Sequence, residues 1–219
     1  MDKKYKLTEE TIRVYGSTLY RIEALKDFSD VKKGDKGGFI ENEDNLSQGD
    51  NCWIYDHAKV RSNAKVYGNA KIFCCAEIFD YAEVYGNAWV HDNAKVFDYA
   101  KVGGNAKVFD YAKVYVNAWV YSNAMVFGHA KVYGDADVFG YAEVCGDALI
   151  KDMSDYIVFK NWWSSGRYFT WTRSNDMWKV GCFYGTGKEL IEKAYKDSEK
   201  SGVEYERAVN YVESILNNN

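Results

Sequence analysis

The feature that most constrains this chain is a six-residue repeat that runs without insertion or deletion from Ala58 to Ile150. Alanine recurs every six residues, sixteen times in succession, and Val or Ile follows two positions after each alanine. A fixed short period indicates stacked units that bury their apolar sides against one another. The repeat therefore predicts a solenoid.

One unit, such as A-K-V-Y-G-N from Ala64 to Asn69, alternates small, polar, aliphatic and aromatic residues and then turns. The period of two predicts a short strand with alanine and valine on one side. Gly, Asn and Asp favour the corner because they tolerate positive φ or hydrogen-bond their own backbone. The pattern resembles the hexapeptide repeat of left-handed parallel β-helices, in which three units form one triangular coil.

A coil of three units places residues eighteen apart in one column, about 4.8 Å from each other. Seventeen units, counted from Cys52-Trp53-Ile54, predict nearly six coils with a narrow, filled interior and no internal ligand cavity. The outer columns are aromatic: Phe79, Phe97, Tyr115 and Tyr133; Tyr67, Tyr85, Tyr121 and Phe139, interrupted by Gly103; and Phe73, Phe109 and Phe127 beside Tyr55 and His91. They either stiffen the coil or form a partner surface, since exposed apolar stripes often mark interfaces.

The residues before the repeat predict a β cap over the first coil. Two β-forming runs flank Gly16-Ser17 and predict a hairpin. Bare strand edges at the end of a solenoid would invite polymerisation, so a cap is expected there.

The segment Asp27–Ala58 contains two unusual landmarks, Gly37-Gly38-Phe39 and Gly49-Asp50 followed by Cys52-Trp53-Ile54. With the Asn-Ala-x-Val repeats that follow, it resembles the bacterial YdcK-like hexapeptide-repeat proteins over roughly residues 1–150. The resemblance implies a left-handed β-helix, a family labelled transferase only by analogy, and relatives that are frequent in phage and prophage genomes.

The last segment changes character. Tyr156 to Trp163, Tyr168 to Arg173 and Trp178 to Tyr184 predict three antiparallel strands. A T-x-x-E capping box at Thr186 predicts a first helix, and Ser201-Gly202 is expected to separate it from a second. This module looks like a C-terminal extension of phage-encoded hexapeptide proteins. Two short helices are not expected to cover both faces of the sheet, which would leave one aromatic face free.

The predicted fold class is therefore mainly β: a left-handed parallel β-helix of nearly six triangular coils, with an N-terminal β cap and a small C-terminal α+β module. The predicted domains are residues 1–51, 52–152 and 153–219.

Composition and charge indicate the cellular compartment and the classes of partner expected for this chain. The net charge is −4, so no general affinity for nucleic acid is implied, and no apolar run has the length of a membrane span. The N-terminus lacks the apolar stretch of a secretory signal. The five cysteines form no metal-binding motif, so we expect reduced thiols, a cytoplasmic location and no metal or cofactor. A phage-encoded chain would work in the host cytoplasm.

Three histidines bear on catalysis, because left-handed β-helix acyltransferases resemble one another in a catalytic histidine and a pantetheine groove between subunits. His57 and His129 fall at one corner, four coils apart, and His91 takes the aromatic position of its unit. No pair is close enough to cooperate, and no loop leaves the repeat. The interpretation favoured here is that they are turn or column residues, with acyl transfer as the alternative.

The C-terminal module holds the remaining site candidates. Aromatic and arginine side chains there either form the core or stack a base or partner, and a lysine in the Gly185–Lys188 turn is a weaker anion-binding candidate. These candidate binding residues are Trp162, Trp163, Arg167, Trp171, Arg173, Trp178 and Lys188.

The function predicted from these patterns is a non-enzymatic binding or scaffold protein, and the resemblance implies a phage-encoded protein with a counter-defence or accessory role. The expected partner is a protein or a small nucleotide-like ligand, recognised by the C-terminal module or the aromatic face, and the chain is expected to form a homodimer or homotrimer. The alternative is a CoA-dependent hexapeptide acyltransferase that acts as a trimer.

Overall fold

The computed structural model describes residues 3–217. Residues 1, 2, 218 and 219, at the outer ends of the first and last predicted domains, lie outside the described residues. Strands β1 (Tyr5–Val14) and β2 (Ser17–Ala24) form the predicted hairpin. Strand β3 (Lys36–Ile40) pairs antiparallel with β2 and parallel with the solenoid strand Lys59–Val60, so the cap continues directly into the coil.

Seventeen two-residue strands follow, each with an outer residue and a buried aliphatic one. Strands β4 to β20 are Trp53–Ile54, Lys59–Val60, Lys65–Val66, Lys71–Ile72, Glu77–Ile78, Glu83–Val84, Trp89–Val90, Lys95–Val96, Lys101–Val102, Lys107–Val108, Lys113–Val114, Trp119–Val120, Met125–Val126, Lys131–Val132, Asp137–Val138, Glu143–Val144 and Leu149–Ile150.

Every third strand belongs to the same parallel sheet. The orders are β3-β5-β8-β11-β14-β17-β20, β4-β7-β10-β13-β16-β19 and β6-β9-β12-β15-β18. The eighteen-residue coil predicted from the sequence is therefore confirmed, and the domain is a β-solenoid of about six coils. The first coil already includes Phe39, Ile40 and Leu46, because Leu46 bridges to Val66.

The interior of the solenoid is a dry column of small and aliphatic side chains. All sixteen repeat alanines, from Ala58 to Ala148, are fully buried, as are the Val and Ile residues that follow them. The predicted filled prism is confirmed. Burial of each Val stabilises the fold by roughly 1.5–3 kcal/mol relative to its exposure.

The corners are held by side-chain ladders. In the column Asn69, Asn87, Asn105 and Asn123, the side-chain amide of each of the first three residues donates to the side-chain oxygen of the next at 3.0–3.1 Å. At Gly103 the aromatic column is interrupted because the Tyr85 ring occupies the space, only 2.5 Å from where a Cβ would lie.

The two ends of the solenoid expose opposite backbone groups. Each coil donates its N–H groups to carbonyls of the next coil, as Lys59 does to Ala76 at 2.9 Å. The first coil is therefore left with free carbonyls. The buried Lys4 Nζ donates to the carbonyls of Asp50 and Cys52 at 2.8 and 2.9 Å. Burial lowers the pKa of Lys4.

Asn45, also fully buried, caps the same end on a second sheet. Its Nδ2 donates to the Ser62 and Ala64 carbonyls, both at 2.9 Å, and its Oδ1 accepts from the backbone N–H groups of Glu41 and Asn42. Lys4 and Asn45 thus supply side-chain donors to carbonyls at this end of the solenoid, which is what this end requires.

The last coil is left with free N–H groups, and acceptors from the C-terminal module meet them. The Glu143 N–H donates to Thr170 Oγ1 at 2.9 Å, and the Leu149 N–H donates to Ser174 Oγ at 2.7 Å. In the short 3-10 turn Met153–Asp155, Asp155 Oδ2 accepts from the Lys151 N–H. The module therefore caps the solenoid.

The C-terminal module is an antiparallel sheet with two helices. Its strands are β21 (Tyr156–Lys160), β22 (Tyr168–Thr172), β23 (Met177–Val180) and β24 (Phe183–Gly185). The predicted third strand is thus two strands, because Gly181 takes a positive φ of 55° and turns the chain.

The helices are α1 (Gly187–Asp197) and α2 (Glu199–Asn217). The predicted break at Ser201-Gly202 is wrong: the chain turns at Ser198, and Gly202 lies inside α2. Gly202 is buried there because the Tyr195 ring crosses it, with a Cβ at that position only 2.2 Å from Tyr195 Cδ1. A glycine is needed at this position because α1 and α2 pack closely there.

Among residues 3–217, no helix is long and apolar enough to cross a membrane.

Candidate ligand-binding groove

Two of the predicted site residues lie in the core of the C-terminal module. Trp171 and Trp178 are buried with Phe169 between the sheet and the two helices. Trp171 Nε1 donates to Asp176 Oδ1 at 2.8 Å, which satisfies its polar group. Their side chains therefore form no surface.

The other face of that sheet is also covered, so the expectation of a free aromatic face is wrong. Thr170 and Thr172 are buried there, against the last coil. The expectation considered only the helices, whereas the solenoid supplies the second cover.

Three more predicted residues lie near the turn after β21. Trp162 is 67 % exposed, and its ring contacts Trp163 edge to face at 6.0 Å. Trp163 is half-buried against Tyr205, with ring centroids 4.9 Å apart. Arg167 is exposed on the same turn. Trp162 and Arg167 are the candidates that remain accessible here.

Arg173 and Lys188 lie apart from that turn. Arg173 Nε donates to the Ser154 carbonyl at 3.2 Å and so ties the module to the linker from the solenoid. Lys188 is exposed in the first turn of α1, where the predicted capping box is present: the Glu189 N–H donates to Thr186 Oγ1. The seven candidates therefore do not converge on one cavity.

A different set of charged residues does converge, on the outer surface of the sheet β5-β8-β11-β14-β17-β20. We call this surface the lysine face. Lys95 pairs with Lys113, and Lys113 pairs with Lys131, on directly neighbouring parallel strands. Three ammonium groups therefore leave the sheet side by side, at the strand spacing of about 4.8 Å.

Aromatic columns border these lysines on both sides. On one side, Tyr111 is stacked on His129 with ring centroids 5.0 Å apart and planes within 11°. On the other, Phe97, Tyr115 and Tyr133 stack continuously at 4.9 and 5.3 Å. An open groove of about 750 Å³ lies between the lysines and the Tyr111–His129 stack. Asn93, Asp147 and Leu149 complete its lining.

The charge along the groove is unevenly compensated. Glu77 lies between Lys59 and Lys95, 3.4 and 3.6 Å from their Nζ atoms. Within residues 3–217, no carboxylate lies within 4 Å of the Lys113 or Lys131 ammonium groups. Like charges on directly opposed strand positions are destabilising. Within the described residues the pair is therefore left without a close counter-charge, although the Asp147 carboxylate lines the same groove.

A second groove serves as an internal comparison. It is lined on another face by the stacked Tyr81 and Tyr99 and by Lys65, Glu83 and Lys101. There Glu83 lies 3.5 Å from Lys101 Nζ and also accepts a hydrogen bond from the Tyr67 hydroxyl at 2.7 Å. That groove carries its own counter-charge, which distinguishes it from the lysine face.

The three histidines take part in side-chain columns or corners. His91 stacks on Phe109 at 5.0 Å, and its Nδ1 lies 2.9 Å from Asp92 Oδ2. His129 lies beneath Tyr111, and His57 is exposed at the same corner four coils earlier. Within residues 3–217, no group of three or more His, Cys, Asp or Glu side chains could hold a metal ion.

The sequence analysis missed the lysine face although its signal was present. Lys95, Lys113 and Lys131 are eighteen residues apart, the same period that revealed the aromatic columns. What the period alone could not show is which of these lysines have an acidic partner.

Comparison with protein-family profiles finds no match for this chain. Among curated proteins, the chain is similar to the uncharacterized acetyltransferase YdcK of Escherichia coli strain K12, with 39 % identity over 66 residues. The matched part is 26 % of this chain, shorter than the stretch over which the resemblance was expected, and it spans about a fifth of the length of that relative. The chain is thus a β-solenoid protein with partial similarity to YdcK.

Proposed function

We propose that this protein is a binding protein without catalytic activity, and that it holds an anionic ligand on the lysine face. The observation that carries the proposal is the adjacent pair Lys113 and Lys131, which lie on a rigid sheet with no acidic partner among the described residues. Hydrogen bonds to charged groups contribute more than neutral ones, about 1.5–3 kcal/mol each. Two neighbouring ammonium groups therefore supply useful affinity.

The solenoid suits this role because it fixes the backbone positions from which its outer side chains extend. The Ala and Val interior is fully packed and the corners are bonded from coil to coil. A ligand therefore needs to order only the lysine side chains and not the backbone, and a backbone preorganised in this way increases affinity. The exposed Trp162 and Arg167 offer the C-terminal module a separate surface for a protein partner. A phage-encoded, counter-defence role in the host cytoplasm belongs to the same proposal.

Isothermal titration calorimetry with inorganic tripolyphosphate at low salt tests the proposal. The Lys113→Gln/Lys131→Gln double variant should bind at least about tenfold more weakly than the unmodified protein, in line with the loss of two charge-assisted hydrogen bonds. Lys65→Gln is the matched control: Lys65 has the same outward position on a different face. Absence of tripolyphosphate binding at millimolar concentration, or equal binding by the double variant, would refute the proposal.

Acetyl transfer is the second candidate function, favoured by the similarity to YdcK. In that case His129, which lines the groove, is the imidazole closest to the lysines and the candidate general base. The test is release of free CoA from acetyl-CoA in the presence of a panel of amines. A rate above the buffer background that His129→Asn abolishes would establish the transferase and overturn the non-catalytic role.

A further inference from the structure

The open ring face of Tyr111 adds a second element of recognition beside the lysines. One face of the ring rests on His129 of the next coil. On the preceding coil the same corner position holds Asn93, so the aromatic stack ends at Tyr111. The side chain is 55 % exposed. A planar group can therefore continue the stack at ordinary aromatic spacing.

The cations lie next to that ring face. Lys113 is two residues after Tyr111 and points out of the same sheet, which places the two Cα atoms about 7 Å apart. Lys131 bears the same relation to His129. A ligand whose ring rests on Tyr111 therefore has anionic groups within reach of both ammonium groups when one sugar separates them.

We infer that the lysine face binds a nucleotide with two or more phosphates, with the base on Tyr111 and the phosphates at Lys113 and Lys131. The inference rests on the proposed anion-binding function and specifies its ligand class. The chemistry fits because every base has a π-face that stacks on tyrosine, whereas the phosphates supply the charge that this pair of lysines lacks.

The second groove, lined by Tyr81 and Tyr99, offers a comparison for the roles of charge and aromatic surface in nucleotide binding. Tyr81 and Tyr99 form a stack like that of Tyr111 and His129, with ring centroids 5.0 Å apart. Beside it, however, Lys101 is paired with Glu83. Of the two lysines that line that groove, only Lys65 has no carboxylate within 4 Å among the described residues. The groove therefore lacks a pair of neighbouring unpaired ammonium groups, and we expect no nucleotide there.

Calorimetric titrations of the full chain with ATP, GTP, CTP and tripolyphosphate separate the two contributions. At least one nucleotide should bind about 5- to 150-fold more tightly than tripolyphosphate, the range expected from one stacked base. Tyr111→Asn should remove that advantage and leave tripolyphosphate binding unchanged. Asparagine already occupies this position one coil earlier, at Asn93, so the fold should tolerate it.

A control variant and the possible negative results separate the nucleotide inference from the anion-binding proposal. Tyr99→Asn, the matched change in the other groove, should leave all four affinities unchanged. If no nucleotide binds more tightly than tripolyphosphate, or if Tyr111→Asn retains the advantage, this inference is overturned while the anion-binding function stands. If neither tripolyphosphate nor any nucleotide binds, both are overturned.

Discussion

The cap residue Asn45 provides the most searching test of how the solenoid is terminated. Its side chain makes four hydrogen bonds, two as donor to the Ser62 and Ala64 carbonyls and two as acceptor from Glu41 and Asn42. Asn45→Ala removes all four. The Ala64 carbonyl is buried, so leaving it without a donor costs about 1–3 kcal/mol, and each of the three partly buried contacts contributes about 0.5–1 kcal/mol. We expect a loss of about 3–5 kcal/mol in the free energy of unfolding.

Urea denaturation followed by circular dichroism measures this loss. Asn45→Asp sharpens the test because it keeps the acceptor atom but replaces the amide donor by an oxygen that faces two carbonyls. It should be destabilised at least as much as Asn45→Ala at pH 7, since a buried charge without a partner is costly. Asn51→Ala is the matched control, because Asn51 makes one exposed ladder contact at 3.3 Å.

Asn45→Ala should also expose the carbonyl edge of the first coil, and exposed edges promote association between chains. Light scattering that rises with protein concentration in this variant, but not in Asn51→Ala, is the expected second signature. A free energy of unfolding within about 0.5 kcal/mol of the unmodified protein, the range of ordinary surface substitutions, would refute the capping argument.

Three further predictions follow from the core, the helix pair and the N-terminal cap. Val108→Asp places an unpaired charge in the filled prism and should lower the free energy of unfolding by about 3–5 kcal/mol. Lys107→Asp, on the outer side of the same strand, should lower it little. Equal melting temperatures for the two variants would contradict the inward assignment of Val108. Gly202→Ala should destabilise the protein by about 1–3 kcal/mol through overpacking against Tyr195, despite the better helix propensity of alanine. Adding Tyr195→Ala should restore the loss, and a higher melting temperature in Gly202→Ala alone would argue against the close contact. The hydrogen bond from the Lys71 ammonium holds the pKa of Asp30 at about 2, below its usual 3.8. Because the folded pKa is the lower one, this stabilisation is present above pH 4 and is lost as the pH falls from about 4 to 2. The Asp30 carboxylate is more than half exposed, so the effect should be small. The melting temperature of Asp30→Asn should vary less with pH between about 4 and 2 than that of the unmodified protein. The same pH dependence in both proteins would exclude the contribution.

The seven site residues predicted from the C-terminal sequence differ in exposure for reasons that the sequence pattern does not contain. Trp171 and Phe169 lie on one face of their strand, as the alternation of side chains along a strand requires. It could not reveal that the last coil covers the opposite face, because that contact joins Thr170 to a residue 27 positions away. Trp171 and Trp178 are inaccessible because the two helices cover their face of the sheet, whereas Trp162 and Arg167 lie on an exposed turn.

The helix break illustrates the same limit at one residue. Ser201-Gly202 has the composition of a breaker, yet the chain turns three residues earlier and Gly202 continues the helix. Its glycine is required by the Tyr195 ring on the neighbouring helix, a contact that local propensity does not contain.

By itself, the sequence determined the solenoid: its coil length, the inward alanines and valines, and the stacked outer columns. It could do so because each coil contacts chiefly its neighbours, so that a period along the chain becomes a contact in space. Only the tertiary structure decided the ends and the charges. The polarity of the sheet hydrogen bonds requires donors such as Lys4 and Asn45 at one end and acceptors such as Thr170 at the other, and those residues come from segments outside the repeat. It likewise decided that Glu77 pairs with Lys95, whereas Lys113 and Lys131 have no carboxylate within 4 Å among the described residues, because ion pairing depends on where long side chains meet across coils.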